Sequence, residues 1–129
     1  MINWKEINFV ILDMDGTLLD LHFDNYFWQI HIPLKKEIEH KIALRPDTLP
    51  FLNALKNAGK QVVLVTNAHP DSLSLKVEKT ALDLHIDLLI STHEYGVTKE
   101  SQALWQKLQA DLQFDNETTL FVDDSLVIL

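Results

Sequence analysis

Four places in this chain gather side chains that could do chemistry together. Asp13-Met14-Asp15-Gly16-Thr17 sets two carboxylates and a hydroxyl within five residues. Thr66-Asn67 adds a hydroxyl and an amide, Lys99 an ammonium after Gly96-Val97-Thr98, and Asp123-Asp124 a second carboxylate pair. Carboxylates brought together repel, and a hard divalent cation with oxygen ligands relieves them. Magnesium, which keeps waters and takes one or two carboxylates plus a substrate phosphate, suits best. Such a site favours an anionic substrate. A phosphoryl group could meet the metal, the Thr66 hydroxyl, the Asn67 backbone N–H and the Lys99 ammonium at once. One carboxylate held beside phosphorus can attack it, giving an aspartyl phosphate. A second must protonate the leaving oxygen and later deprotonate water. Asp13 and Asp15 can divide these roles if the loop between them turns sharply enough to bring both to one site.

The elements that must position these groups are legible in the apolar pattern. Residues 8–12, 61–65, 87–90 and 118–122 are nearly continuous in apolar character, as strands covered on both faces are. Helical patterns lie between them. Thr48 or Asp47 caps one, with Pro50 in its first turn, Phe51, Leu52, Leu55 and Ala58 on one stripe, and Gly59 as the stop. Asp71 or Ser72 opens a second that runs to about Leu82. Thr98 or Lys99 opens a third carrying Leu104, Trp105, Leu108 and Leu112. This alternation predicts an α/β fold with right-handed crossovers and a mostly parallel, Rossmann-like sheet flanked by helices. Ligands of such sheets gather outside the carboxyl ends of the strands, which is where the four groups of candidate residues fall. Residues 20–45 break the rhythm, with Phe23, Tyr26, Phe27 and Trp28 followed by Pro33 and a charged run, and read as an insertion after the first strand.

Composition narrows the classes further. The chain has 129 residues, 47% of them apolar, a net charge of −8 and no cysteine. That length suits one domain, residues 1–129, whose folding buries about two-thirds of the chain's surface. The absence of cysteine excludes disulfide frameworks, thiolate zinc sites and thiol nucleophiles, and suits a reducing compartment. A single arginine, Arg45, in so acidic a chain argues against a nucleic-acid partner. The first apolar run is broken by Asp13 and Asp15, far short of the roughly 20 residues of a membrane span, so no membrane association and a cytoplasmic location are expected.

Residues 13–20 resemble the first motif of the haloacid dehalogenase (HAD) superfamily of phosphatases. Val65-Thr66-Asn67 resembles the second motif, Lys99 the third, and Phe121-Val122-Asp123-Asp124-Ser125 the fourth. Within the superfamily, residues 12–28, 66–70 and 88–100 are similar to the bacterial GMP/IMP (purine) 5′-nucleotidase group. The resemblance implies that Asp13 is nucleophile and metal ligand, and that Asp15 is the acid/base and offers its backbone carbonyl to Mg2+. It makes Asp124 the third protein ligand, with Asp123 behind it, and gives Thr66, Asn67 and Lys99 the phosphate. It implies a magnesium-dependent phosphomonoester hydrolase acting on a nucleoside monophosphate. Family members carry a large helical cap after strand one, here reduced to residues 20–45, and continue past the fourth motif with a fifth strand, here missing. Strand four is then expected at an edge, with Leu126, Val127, Ile128 and Leu129 inviting self-association.

Rival readings stand beside this one. A sugar-phosphate phosphatase or phosphomutase of the same superfamily would use the same first aspartate, and a non-catalytic phosphate-binding remnant would keep the fold alone. A receiver domain has the reverse motif order, with its acidic pair first and its lysine last. A calcium loop would need glycine where Leu18 stands. Asp123-Asp124 taken alone would be a solvated turn, His69 a capping or surface group, and the aromatics at 23–28 core or cap packing. Lys76 competes with Lys99 for the phosphate, and Lys99 is preferred for its place after strand three.

Overall fold

The structure is a computed structural model and describes residues 3–15, 17–18 and 43–123. Gly16, most of the 20–45 insertion with its aromatics, Asp124 and residues 125–129 lie outside the described residues. Seven main elements follow one another: β1 (Phe9–Leu12), α1 (Thr48–Asn57), β2 (Gln61–Thr66), α2 (Pro70–Thr80), β3 (Leu88–Ser91), α3 (Gln102–Leu112) and β4 (Thr119–Val122). Short 3-10 turns fill the gaps at Leu82–Leu84, Thr92–Glu94 and Asn116–Thr118. All three strand pairings are parallel and the sheet order is β3-β2-β1-β4.

Period-two alternation distributes the central strand over two cores. Val10 and Leu12 of β1 join Val62 and Leu64 of β2 against Leu52 and Leu55 of α1 and Leu73 of α2. Phe9 and Ile11 join Val63, Val65 and Ile90 against Leu104 and Leu108 of α3. All four residues of β1 are buried, which is why that run reads as unbroken apolar sequence. Each buried leucine or isoleucine contributes about 1.5–3 kcal/mol. β4 is only half-buried and, among the described residues, ends the sheet on one side.

Element ends depart from the sequence expectation where a cap was misjudged. α1 begins at Thr48 as expected, but the Asp47 side chain makes no capping bond, and the Thr48 hydroxyl donates to the Leu18 carbonyl at 2.7 Å. At its far end Gly59 takes φ +73 and Lys60 N–H reaches back to the Leu55 carbonyl at 3.0 Å, while Ala58 is exposed. α2 starts at Pro70, with His69 Nδ1 accepting from Asp71 N–H at 3.1 Å, so His69 is indeed a cap. α2 stops at Thr80, short of Leu82, with Ala81 in the left-handed region. α3 starts at Gln102, not at Thr98 or Lys99, because the Ser101 hydroxyl caps it by accepting from Ala103 N–H at 3.3 Å.

Parallel register sends every strand's carboxyl end to one rim. Leu12 lies beside Leu64 and Val122, and Thr66 beside Ser91. Asp13, Asn67, Thr92 and Asp123, each the residue after its strand, therefore share that rim.

Candidate active site

The first motif folds back on itself directly after β1. Asp13 N–H donates to the Val122 carbonyl at 2.9 Å, extending the ladder by one residue, and Leu18 N–H returns to the Met14 carbonyl at 2.9 Å. The turn places the Thr17 hydroxyl on Asp13 Oδ2 at 3.2 Å. Met14 and Leu18 are both buried and anchor the loop in the core.

Lys99 closes the centre. Its ammonium donates to Asp13 Oδ1, and to Asp123 Oδ2 at 3.2 Å. The side chains of Asp13, Lys99 and Asp123 are 7%, 5% and 1% exposed. Two carboxylates against one ammonium leave this buried cluster with one net negative charge. Lys99 sits in the turn before α3 and not in a helix's first turn, and two backbone hydrogen bonds and one left-handed glycine hold it there. Its N–H donates to Asn67 Oδ1 at 3.0 Å, its carbonyl accepts from Trp105 Nε1 at 2.9 Å, and Gly96 (φ +70) supplies the left-handed residue of the approach.

The second motif serves as a strut between the loops. Thr66, at the end of β2, is buried, and its hydroxyl accepts from Ala68 N–H at 3.1 Å. Asn67 Oδ1 also accepts from the Thr92 hydroxyl at 3.0 Å, and Asn67 Nδ2 donates to Glu100 Oε2 at 3.1 Å. The Ser91 hydroxyl donates to the Ala68 carbonyl at 2.7 Å, and His93 Nε2 lies 3.2 Å from the Asn67 carbonyl. The Thr98 hydroxyl, the Glu100 backbone N–H, Asn67 and Lys99 hold the Glu100 carboxyl below the usual carboxylate range. Ser91, Thr92 and Glu100 are not among the residues the sequence marks, and Trp105 is marked only as part of an apolar helical stripe. The first three carry a positional signal, at the end of β3 or beside Lys99.

Asp15 behaves differently from Asp13. Its side chain is 26% exposed, and Oδ1 accepts from Lys76 Nζ at 2.7 Å. The two aspartates of the first motif thus meet two different lysines. Lys99 is the one that meets the nucleophile candidate, and Lys76 joins the rim at a different partner.

Hard carboxylate oxygens with an excess negative charge fit a magnesium ion, which takes one or two such ligands from protein. Among the described residues no group of three potential ligands assembles, and Asp124 lies outside them. No helix among the described residues is long and apolar enough to cross a membrane.

The chain is similar to known proteins in both sequence and fold. The haloacid dehalogenase-like hydrolase family matches residues 21–127. The GMP/IMP nucleotidase YrfG of Escherichia coli (strain K12) is 39% identical over 175 aligned positions, covering 99% of this chain and 79% of the relative, as is that of Shigella flexneri. Among solved structures, a dehalogenase with intermediate complex matches at TM-score 0.78 and 16% identity, covering all of this chain and 80% of the other. A HAD-superfamily hydrolase from Geobacter sulfurreducens matches at TM-score 0.76 and 16% identity, covering 95% and 80%. The parallel sheet flanked by helices is therefore the fold of those enzymes.

Proposed function

Since the chain belongs to the haloacid dehalogenase-like hydrolase family, we propose that it hydrolyses phosphomonoesters through an aspartyl phosphate on Asp13, with purine nucleoside 5′-monophosphates as substrates. The observation that carries the reading is the buried Asp13–Lys99–Asp123 cluster on the strand-end rim, beside the Thr66-Asn67 loop. The substrate class is supported by the 39% identity to the Escherichia coli GMP/IMP nucleotidase.

Each residue has a task that follows from its placement. The Lys99 ammonium and the Thr17 hydroxyl orient the Asp13 carboxylate, so Asp13 is ready to attack phosphorus. Lys99, between two carboxylates, presents positive charge to phosphoryl oxygens arriving beside Asp13. The Thr66 hydroxyl and the Asn67 backbone N–H bind the same group. Asn67 commits its side chain to Thr92, Lys99 and Glu100, which fixes the loop before substrate arrives. Asp15, a quarter exposed, gives the leaving oxygen its proton and takes one from the attacking water. Magnesium would be held by Asp13, the Asp15 carbonyl and Asp124, with Asp123 supporting, and would supply charge neutralisation for the phosphate. The chain then forms one domain, with residues 20–45 as a reduced cap insertion, and needs neither nucleic acid nor membrane as partner.

A phosphate-release screen over nucleotides and sugar phosphates, with and without magnesium, tests the reading. Release from GMP and IMP that needs magnesium and disappears in Asp13→Asn is expected. Release that survives Asp13→Asn rejects the nucleophile, and a preference for sugar phosphates rejects the nucleotide assignment.

A further inference from the structure

Lys76 is 2% exposed and among the largest fully buried side chains of the chain, although it is a lysine in the middle of a helix. It follows Leu73 by three positions, on the stripe that α2 turns toward the core. A buried ammonium is costly unless paired, and a methionine or leucine of similar volume would pack there without that cost. The charge is directed at the rim, where Nζ donates to Asp15 Oδ1 at 2.7 Å. The reaction proposed above gives Lys76 no task.

We propose that Lys76 is a positioning residue for Asp15. Its bond to Oδ1 fixes the plane of the carboxyl group and makes Oδ2 the oxygen that exchanges protons. The inference rests on the hydrolase reading and deepens it. In the first half-reaction, the bond from phosphorus to the leaving oxygen breaks as an Asp13 oxygen bonds to phosphorus, and the proton on Asp15 Oδ2 passes to the leaving oxygen. In the second, a water oxygen bonds to phosphorus, its proton passes to Asp15 Oδ2, and the bond to Asp13 breaks. One water is consumed, alcohol and phosphate are released, and Asp15 ends as it began.

Leaving-group dependence separates this role from a structural one. A nucleoside 5′-monophosphate leaves as an alkoxide that needs a proton, whereas 4-nitrophenyl phosphate leaves as a phenolate that does not. Lys76→Met should lower kcat/KM on the nucleotide by about 30- to 100-fold, a part of what a general acid supplies, and on the aryl ester by less than about 5-fold. Lys76→Arg, which keeps a donor with different geometry, should recover part of the nucleotide activity. It carries the comparison if Lys76→Met does not melt cooperatively. Without any substrate, Asp15→Asn and Lys76→Met should be non-additive in denaturant midpoint, the double variant melting close to the worse single one. Equal losses on both esters, a loss confined to KM, or additive midpoints would overturn the inference. A wild-type chain that cleaves neither ester fails the hydrolase reading itself, and this inference with it, whereas an active wild type with equal losses in Lys76→Met sinks this inference alone.

Discussion

Two aspartate–lysine contacts stand two residues apart on the same loop and differ in almost every physical respect. Asp13 belongs to a three-charge cluster whose side chains are all nearly buried, and its lysine comes from the turn leading into α3, which packs on the Phe9 and Ile11 face of the sheet. Asp15 is paired with a lysine that emerges from α2, on the Val10 and Leu12 face, and keeps a quarter of its own side chain in solvent. A carboxylate that bonds to phosphorus needs fixed placement and a lasting negative charge. One that trades protons with a leaving group and with water needs access. In the proposed reaction, enclosure of one and partial exposure of the other would divide nucleophile from acid/base without any difference in residue type.

The largest effect should come from breaking the enclosed contact at the proposed nucleophile. Asp13→Asn is expected to lower phosphate release by about 10^4-fold or more, since no other described side chain at the rim holds an equivalent position. Its thermal midpoint should stay near that of the wild type, because Lys99 keeps Asp123. A midpoint fall of more than about 10 °C in a calorimetric scan would mean that Asp13 is a structural residue first. Lys99→Met comes next. It leaves two buried carboxylates facing each other without their ammonium and should cost about 3–5 kcal/mol in chemical denaturation. Millimolar magnesium should then raise its midpoint more than it raises the wild type's, by mass action on the uncompensated site. An equal magnesium response in the two proteins would show that the negative excess lies elsewhere.

What the sequence disclosed about these contacts divides along the same line. Asp13, Thr66, Lys99 and Asp123 are legible because each follows a continuous apolar strand, and parallel pairing carries strand ends to one rim whatever the details of register. The strands themselves came out within one residue of their observed ends for the same reason. Lys76 is different: a lysine inside a helix ordinarily marks the solvent side, and only its phase with Leu73 hints that it is buried. The start of α3 was misplaced because Ser101 competes with Thr98 as cap, and local preference alone does not rank them. That Asn67 already serves Lys99 N–H, 32 residues away, is a long-range fact no window of sequence contains. The Asp13–Lys99 meeting was foreseen only in outline, as two groups sharing a phosphate. The direct contact between them, and the partner of Asp15, follow from packing.

Smaller changes test how far support of the enclosed contact extends. Thr92→Val removes one of the two donors on Asn67 Oδ1 and leaves Lys99 N–H, so about 1 kcal/mol of stability should be lost. KM for the phosphoester should rise more than kcat falls, because the loop proposed to bind phosphate loosens while Asp13 and Asp15 keep their lysines. An effect on kcat alone would move Asn67 from binding to chemistry.

The smallest expected effect lies at Tyr95, beside Gly96 in the approach to Lys99. Burial, and then the hydrogen bond and the negative charge of Asp111, with Glu94 adding to it, push the Tyr95 phenol from 10.0 up to about 12. The folded chain therefore keeps this proton to higher pH than the unfolded chain does. The stability it contributes is whole below about pH 10 and is lost as pH rises through about 12. Tyr95→Phe removes both the ionisation and the 2.9 Å bond to Asp111 Oδ2. It should start slightly less stable at neutral pH, by under about 1 kcal/mol, and then lose less than the wild type between pH 10 and 12 in paired thermal melts. Because Tyr95 precedes Lys99 in its turn and has no bond to α2, any accompanying change in turnover should appear equally on nucleotide and aryl esters. A loss restricted to the nucleotide would tie this turn to Asp15 and erase the separation between the two contacts.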